Sequence, residues 1–130
     1  MILALIAALL LGVLSGTITG LFPGIHFNLI SIMLVSVSSY LLVYTTPLIL
    51  ATFIVAMAIT HTALDAIPSI FLGAPDEDSV MSVLPGHRLL MKGHGYAAAV
   101  YVTYGNLIAL ILMMVLTPLF VFMLPVVYHY

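Results

Sequence analysis

The chain has 130 residues, of which 65% are hydrophobic and 5% charged, with a formal net charge of −2 and a mean hydropathy of +1.37. Soluble domains are about a quarter charged, so this composition excludes a water-soluble fold and points to the lipid bilayer. The absence of cysteine excludes disulfides, and the lack of any basic tract argues against nucleic acid as a partner.

A transmembrane helix needs about 20 mainly apolar residues. Residues 1–22, 25–44, 47–64 and 96–117 supply such stretches, the last running on towards residue 124. The expected fold is all-α: a polytopic transmembrane bundle of about four helices, with proline- and glycine-broken or re-entrant segments. Residues 1–130 are expected to form a single transmembrane domain. The first stretch lacks the basic n-region of a signal peptide and exceeds an ordinary h-region in length, so it reads as a retained helix. Small residues recur at every fourth position: Ala4, Ala8, Gly12, Gly16 and Gly20. They fall near one face, where a second backbone can approach closely.

A break is expected next, in Leu21-Phe22-Pro23-Gly24-Ile25-His26-Phe27-Asn28. Proline removes an amide donor and Gly24 permits unusual dihedrals. The break is either an interfacial turn or a discontinuity deep in the membrane, tolerated only where the freed backbone is buried or lines a cavity. His26 and Asn28 place polar groups just after it. The second helix is expected to end around residues 36–40, with Pro47 at the start of the third. Tyr40 and Tyr44 suit a membrane interface.

The third helix carries His61 and Asp65 on one face, at i and i+4. Pro68 is expected to end the regular helix, and Gly73-Ala74-Pro75 to turn the chain. Asp76-Glu77-Asp78-Ser79 reads as a helix start, favoured by capping and by the helix dipole. A short helix over 79–84 is expected to break at Pro85-Gly86. A second piece over 87–91 would stop at Gly93. Gly95-Tyr96 opens the last long helix, whose far end Pro118 and Pro125 should kink or shorten.

All charged side chains, two basic and four acidic, lie between Asp65 and Lys92. Function is therefore sought in the polar segment 65–95. The positive-inside rule puts Arg88 and Lys92 in the cytoplasm. Two charges bias insertion so little that insertion both ways round, with inverted pairing of two copies, is a further expectation.

An ionisable group in a span costs about 2.5–3.5 kcal/mol at the helix centre on insertion scales and defaults to a functional reading. Asp65 is such a group, and His61 one turn earlier can share a proton with it. Otherwise Asp65 marks an interfacial helix end. Asp76, Glu77 and Asp78 have oxygens for a hard cation, but three consecutive acids point different ways on a helix, and a solvated helix start is the better account. His87, Arg88 and Lys92 form a cationic patch, suited to an anion or to topogenic charge alone. The five histidines, His26, His61, His87, His94 and His129, show no His-Glu-x-x-His spacing, and no Gly-x-Ser-x-Gly elbow occurs. No enzyme activity, metal or cofactor is expected. Paired proline- and glycine-broken apolar segments do point to a transporter site, where half-helix ends bind an anion.

Gly16-Thr17-Ile18-Thr19-Gly20-Leu21-Phe22-Pro23-Gly24 resembles the N-terminal signature of the large membrane subunit of tripartite tricarboxylate transporters. The stretch from Ile67-Pro68-Ser69 through Gly73-Ala74-Pro75 to Ser79 resembles its second signature. Leu84-Pro85-Gly86-His87-Arg88 and Gly93-His94-Gly95-Tyr96-Ala97 look most similar to its archaeal members. The resemblance covers residues 12–98. It implies a secondary transporter of di- or tricarboxylates, driven by H+ or Na+, in the plasma membrane of a prokaryote. Family members are several times longer and contain two related halves, so a second copy or a companion membrane subunit is the implied partner.

Carried over by position, Pro23, Gly24, Gly73, Pro75 and Ser79 would line the substrate region. His26, Asn28 and Ser69 join them as neighbouring polar groups, and Asp65 with His61 would couple the ion. Asp76-Glu77-Asp78 and His26 depart from the family pattern. The rival expectations are a transporter of polyprenyl phosphate or another lipid-linked anion, and a non-transporting membrane scaffold that docks through its small-residue face.

Overall fold

The computed structural model describes residues 1–74 and 80–128, and among these the regular structure is helical throughout. The elements are α1 (Ile2–Leu21), α2 (Phe27–Ser36), α3 (Ser38–Leu41), α4 (Pro47–Leu64), α5 (Ala66–Leu72), α6 (Val80–Met91) and α7 (Gly95–Tyr128). Three helices are long and apolar enough to cross a membrane: Ile2–Leu21, Pro47–Leu72 and Gly95–Pro125. The protein is an all-helical membrane bundle.

Local chemistry sets the helix ends. α1 stops where Phe22 becomes extended (φ −93°, ψ 108°) ahead of Pro23. Pro47 starts α4, where a missing amide hydrogen costs nothing, and the Thr46 hydroxyl accepts from the Ile49 amide at 3.4 Å. α6 stops at Gly93, whose φ of +83° suits glycine. There the Gly93 and His94 amides donate back to the Leu90 and Leu89 carbonyls at 2.8 and 2.9 Å.

α1 and α4 make the most extensive helix pair. Ala8, Gly12, Gly16 and Gly20 are buried along it. A Cβ built on Gly12 would stand 2.6 Å from the Phe53 carbonyl oxygen, on Gly16 2.5 Å from that of Met57, and on Gly20 2.7 Å from that of His61. Four-residue steps on one helix therefore meet four-residue steps on the other, in the same order, and the two helices run parallel. The small-residue face packs one helix of this chain on another, as expected of such a pattern in lipid.

Parallel packing obliges residues 22–46 to carry the chain back along the pair, which at 1.5 Å per residue is about 30 Å for a 20-residue helix. A single helix over 25–44 does not form. The return is made by α2 and α3, divided at Val37 (φ −98°, ψ 4°). The hydroxyls of Ser36 and Ser38 donate to the Ile32 and Val35 carbonyls at 2.7 and 2.6 Å. Back-bonding of this kind bends and weakens a helix.

The prolines interrupt less than their positions lead one to expect. Pro68 lies in the first turn of α5, so the helical path through Asp65 continues to Leu72. Pro85 lies inside α6, and the expected break at Pro85-Gly86 is absent. Proline there removes one intrahelical bond. Gly86 in return lets Ile70 approach so closely that a Cβ would meet its Cδ1 at 2.8 Å. α7 continues through Pro118 and Pro125, in keeping with the tolerance of proline in transmembrane helices.

α7 runs antiparallel to α4 and α5, with Asn106 opposite Ala63 and Gly95 beside Phe71. α5, α6 and α7 share a small core of Ile70, Val83 and Ala98, each no more than 1% exposed, flanked by Leu89 and Val102.

Candidate functional site

His61 is the buried polar side chain of α4, at 5% exposure. Its Nδ1 lies 3.0 Å from the Thr19 hydroxyl on α1. That hydroxyl also lies 3.3 Å from the Gly16 carbonyl. Its one hydrogen serves either that carbonyl or Nδ1, according to the tautomer of the ring. Four residues on, half-buried Asp65 forms the joint between α4 and α5, and its amide donates to the His61 carbonyl at 2.9 Å. The α1–α4 contact thus places the end of α1 alongside His61 and Leu64, next to this joint.

Pro23 and Gly24 follow immediately and are exposed. Gly24 has φ +89°, and a Cβ there would meet nothing within 4 Å. Its requirement is conformational: the left-handed backbone turns the chain out of α1. His26 stands at the N-cap position of α2, with its carbonyl accepting from the Leu29 amide at 3.1 Å. His26 and Asn28 are exposed. One turn further, the Ser31 hydroxyl is buried with no hydrogen-bond partner.

Gly73 ends α5 with φ +66°. The amides of Gly73 and Ala74 both donate to the Ser69 carbonyl, at 2.9 and 3.3 Å. In the Schellman form of a glycine-terminated helix the first of these would go to Ile70. Here the Ile70 carbonyl accepts instead from His87 Nδ1 at 2.7 Å, across from α6. The His87 ring fills the space beside Gly73, where a Cβ would stand 2.7 Å from Cε1 and Nε2.

His61 is therefore brought to the end of α1, beside Pro23-Gly24 and Asp65. Gly73 is brought to His87, with Ser69 one turn below it. Arg88 and Lys92 are exposed, whereas His87 is half-buried and turned onto α5. Pro75 and Ser79, with Asp76-Glu77-Asp78, lie outside the described residues. Among the described residues no three His, Asp or Glu side chains gather as metal ligands would.

Asn106 went unnoticed in the sequence. Its Nδ2 donates to the Ala63 carbonyl at 3.0 Å. Pro68 has no amide hydrogen to return to the next carbonyl, that of Leu64, so Asn106 meets α4 where its ladder is thinnest. Asn106 also borders two open, largely apolar grooves. One, of about 600 Å³, lies between α4 and α7, and the other, of about 450 Å³, lies between α6 and α7. A lone asparagine inside an apolar helix was the available signal, since polar residues in transmembrane helices commonly bond to a neighbour.

No solved structure matches this chain. Over 91 residues it is 38% identical to an uncharacterized protein of Methanocaldococcus jannaschii, MJ1079, a match that covers 70% of this chain and 22% of that relative. The chain thus spans about a fifth of the length of the curated relative it matches. The profile of the tripartite tricarboxylate transporter TctA family matches residues 6–130, a range that holds the α1 end, the Asp65 joint and the Gly73 turn together. This chain belongs to the tripartite tricarboxylate transporter TctA family.

Proposed function

We propose that this chain is part of a secondary transporter that moves an organic anion of the di- or tricarboxylate class, coupled to H+ or Na+. The anion would bind near the Pro23-Gly24 break and the turn that begins at Gly73, with His26, Asn28 and Ser69 as polar neighbours and Pro75 and Ser79 completing the turn. Asp65, with His61, would carry the coupling. The observation that supports this most is the position of the broken end of α1 beside the Asp65 joint. A membrane-embedded acid, a buried histidine and a helix break meet there, as discontinuous helices do in transporters. A second copy or a companion membrane subunit would supply the rest of the binding interface.

The test is gradient-driven uptake of a citrate-like substrate in membranes that hold the assembled transporter. Asp65→Asn should abolish uptake while leaving insertion and abundance unchanged. Unimpaired uptake in that variant removes Asp65 from the mechanism.

A lipid-linked phosphate is the second reading, favoured by the apolar groove between α4 and α7. Competition for binding separates the two: polyprenyl phosphate displacing citrate selects the lipid. A non-transporting scaffold, the third reading, would have to dock through another surface, because α4 covers Ala8, Gly12, Gly16 and Gly20 of α1.

A further inference from the structure

We infer that the chain is built as two helical bodies that rock about a pivot formed by Pro68 and Asn106, with the Pro23-Gly24 break on one body and the Gly73 turn on the other. The pivot stands on packing and hydrogen bonding alone. Its purpose, to open and close the anion region, rests on the transport reading.

Packing divides the helices. α1 and α4 are joined along their length by Gly12, Gly16 and Gly20, each tight against an α4 carbonyl. α5, α6 and α7 are joined by the core of Ile70, Val83 and Ala98, and by the 2.7 Å bond from His87 Nδ1 to the Ile70 carbonyl. Between the two bodies, α7 meets α4 and α5 meets α1 far more sparsely than α1 meets α4. Close-packed bodies move as units, and a hinge is a few element-terminal residues that absorb the change in backbone angles.

The joint between α4 and α5 has that character. Asp65 ends one helix and begins the next. Pro68 returns no amide hydrogen to the Leu64 carbonyl. The following bond, from the Ser69 amide to the Asp65 carbonyl, is long at 3.3 Å. Asn106 stands opposite, and its Nδ2 holds the Ala63 carbonyl at 3.0 Å. It therefore pins α7 to α4 beside the joint. On one side of this pin lies the core of α5, α6 and α7. On the other, α4 and α7 are separated by the open groove of about 600 Å³, with Ala58, Thr62, Leu107 and Leu110 among its walls. That groove is the room into which α7 can swing.

The same tilt acts beyond the pin. α1 ends beside Leu64 and carries Pro23-Gly24 with the first body. Gly73 ends α5 against the His87 ring and moves with the second. Rocking changes the separation of the two breaks, so an anion held between them would be enclosed in one state and released in the other.

The chain has no cysteine, so spin labels on introduced cysteines report single chosen pairs. Distances between such labels, in the full chain in nanodiscs, test the pivot. Leu10/Val55 lies within the first body, Val55/Met114 spans the groove, and Phe22/Leu72 spans the two breaks; all these positions are exposed. The expected result is a narrow distribution for Leu10/Val55 and broad or two-peaked ones for the spanning pairs. Pro68→Ala restores the missing donor and should narrow both spanning distributions to the width of the first pair. Asn106→Ala removes the pin and should broaden Val55/Met114 further. Equally narrow distributions for all three wild-type pairs, or spanning distributions that Pro68→Ala leaves unchanged, overturn the inference even if Asn106→Ala fails to fold. A folded Asn106→Ala that matches the wild type overturns the role of Asn106.

Citrate, with its binding followed by calorimetry, separates this inference from the substrate reading. Binding that shifts the Phe22/Leu72 distance supports both. Binding without a shift overturns the enclosure of the anion by rocking and leaves the substrate reading standing. Rocking without citrate binding supports the pivot and counts against the substrate.

Discussion

The His87 imidazole occupies the space that a side chain at Gly73 would need, while its Nδ1 holds the Ile70 carbonyl at 2.7 Å. One residue of α6 thus both requires a glycine at the end of α5 and takes over a carbonyl that the turn leaves unbonded. Gly73→Ala should destabilise the protein by about 1–3 kcal/mol, since it forces a left-handed backbone on a residue with a Cβ as well as a clash. Thermal unfolding in detergent measures this. In Gly73→Ala/His87→Ala the clash is gone and the backbone strain remains, so part of the loss should be recovered relative to the sum of the single changes. Strict additivity would show that the ring is not what excludes a side chain there.

The glycines are not equivalent. Gly16→Ala pushes a Cβ to 2.5 Å from the Met57 carbonyl oxygen, and overpacking of this kind costs about 1–3 kcal/mol. A Cβ on Gly105, in the middle of α7, would meet nothing within 4 Å. Gly105→Ala should leave stability unchanged or raise it by up to about 1 kcal/mol through helix propensity. Paired melting curves of the two variants decide this, and similar losses in both would contradict the parallel α1–α4 packing.

Asn106→Ala removes the amide bond to Ala63 across α4 and α7. Hydrogen bonds between transmembrane helices are worth about 0.6 kcal/mol on average and up to about 1.7. A loss of that size is expected, with faster proteolysis near residues 63–68 as a second readout. No loss in either measurement would show that the bond contributes nothing.

Arg88 and Lys92 are exposed at the end of α6, and the positive-inside rule places them in the cytoplasm. His94→Cys, exposed two residues on and leaving both basic residues in place, should react with membrane-impermeant thiol reagents only from that side. Labelling from both sides would instead establish insertion in two orientations, since so few basic residues direct the chain.

Much of this architecture is legible from residue type alone. The end of α1 at Pro23-Gly24, the start of α4 at Pro47 and the stop at Gly93 each follow from a missing amide or a positive φ, which are properties of single residues. The end of α2 at Ser36 falls within the expected 36–40, in a serine-rich stretch without proline or glycine. It comes with serine hydroxyls bonding back to their own helix, a choice between local partners that composition only hints at. Pro68 and Pro85 mislead for the opposite reason. Proline predicts a lost hydrogen bond but not whether the packing around it, such as Ile70 on Gly86, keeps the helix intact. Of the candidate site, His61 and Asp65 stand out as ionisable groups in an apolar helix. Thr19 and Asn106 become visible only when helices far apart in sequence are set side by side.

The parallel course of α1 and α4 has a consequence for sidedness. α1 and α4–α5 point one way and α7 points the other, so Ile2 and Tyr128 lie towards one face of the bundle and Lys92 towards the opposite face. Reporter proteins fused ahead of residue 2 and after residue 128 should therefore read the same compartment, and a tag beside Lys92 the other one.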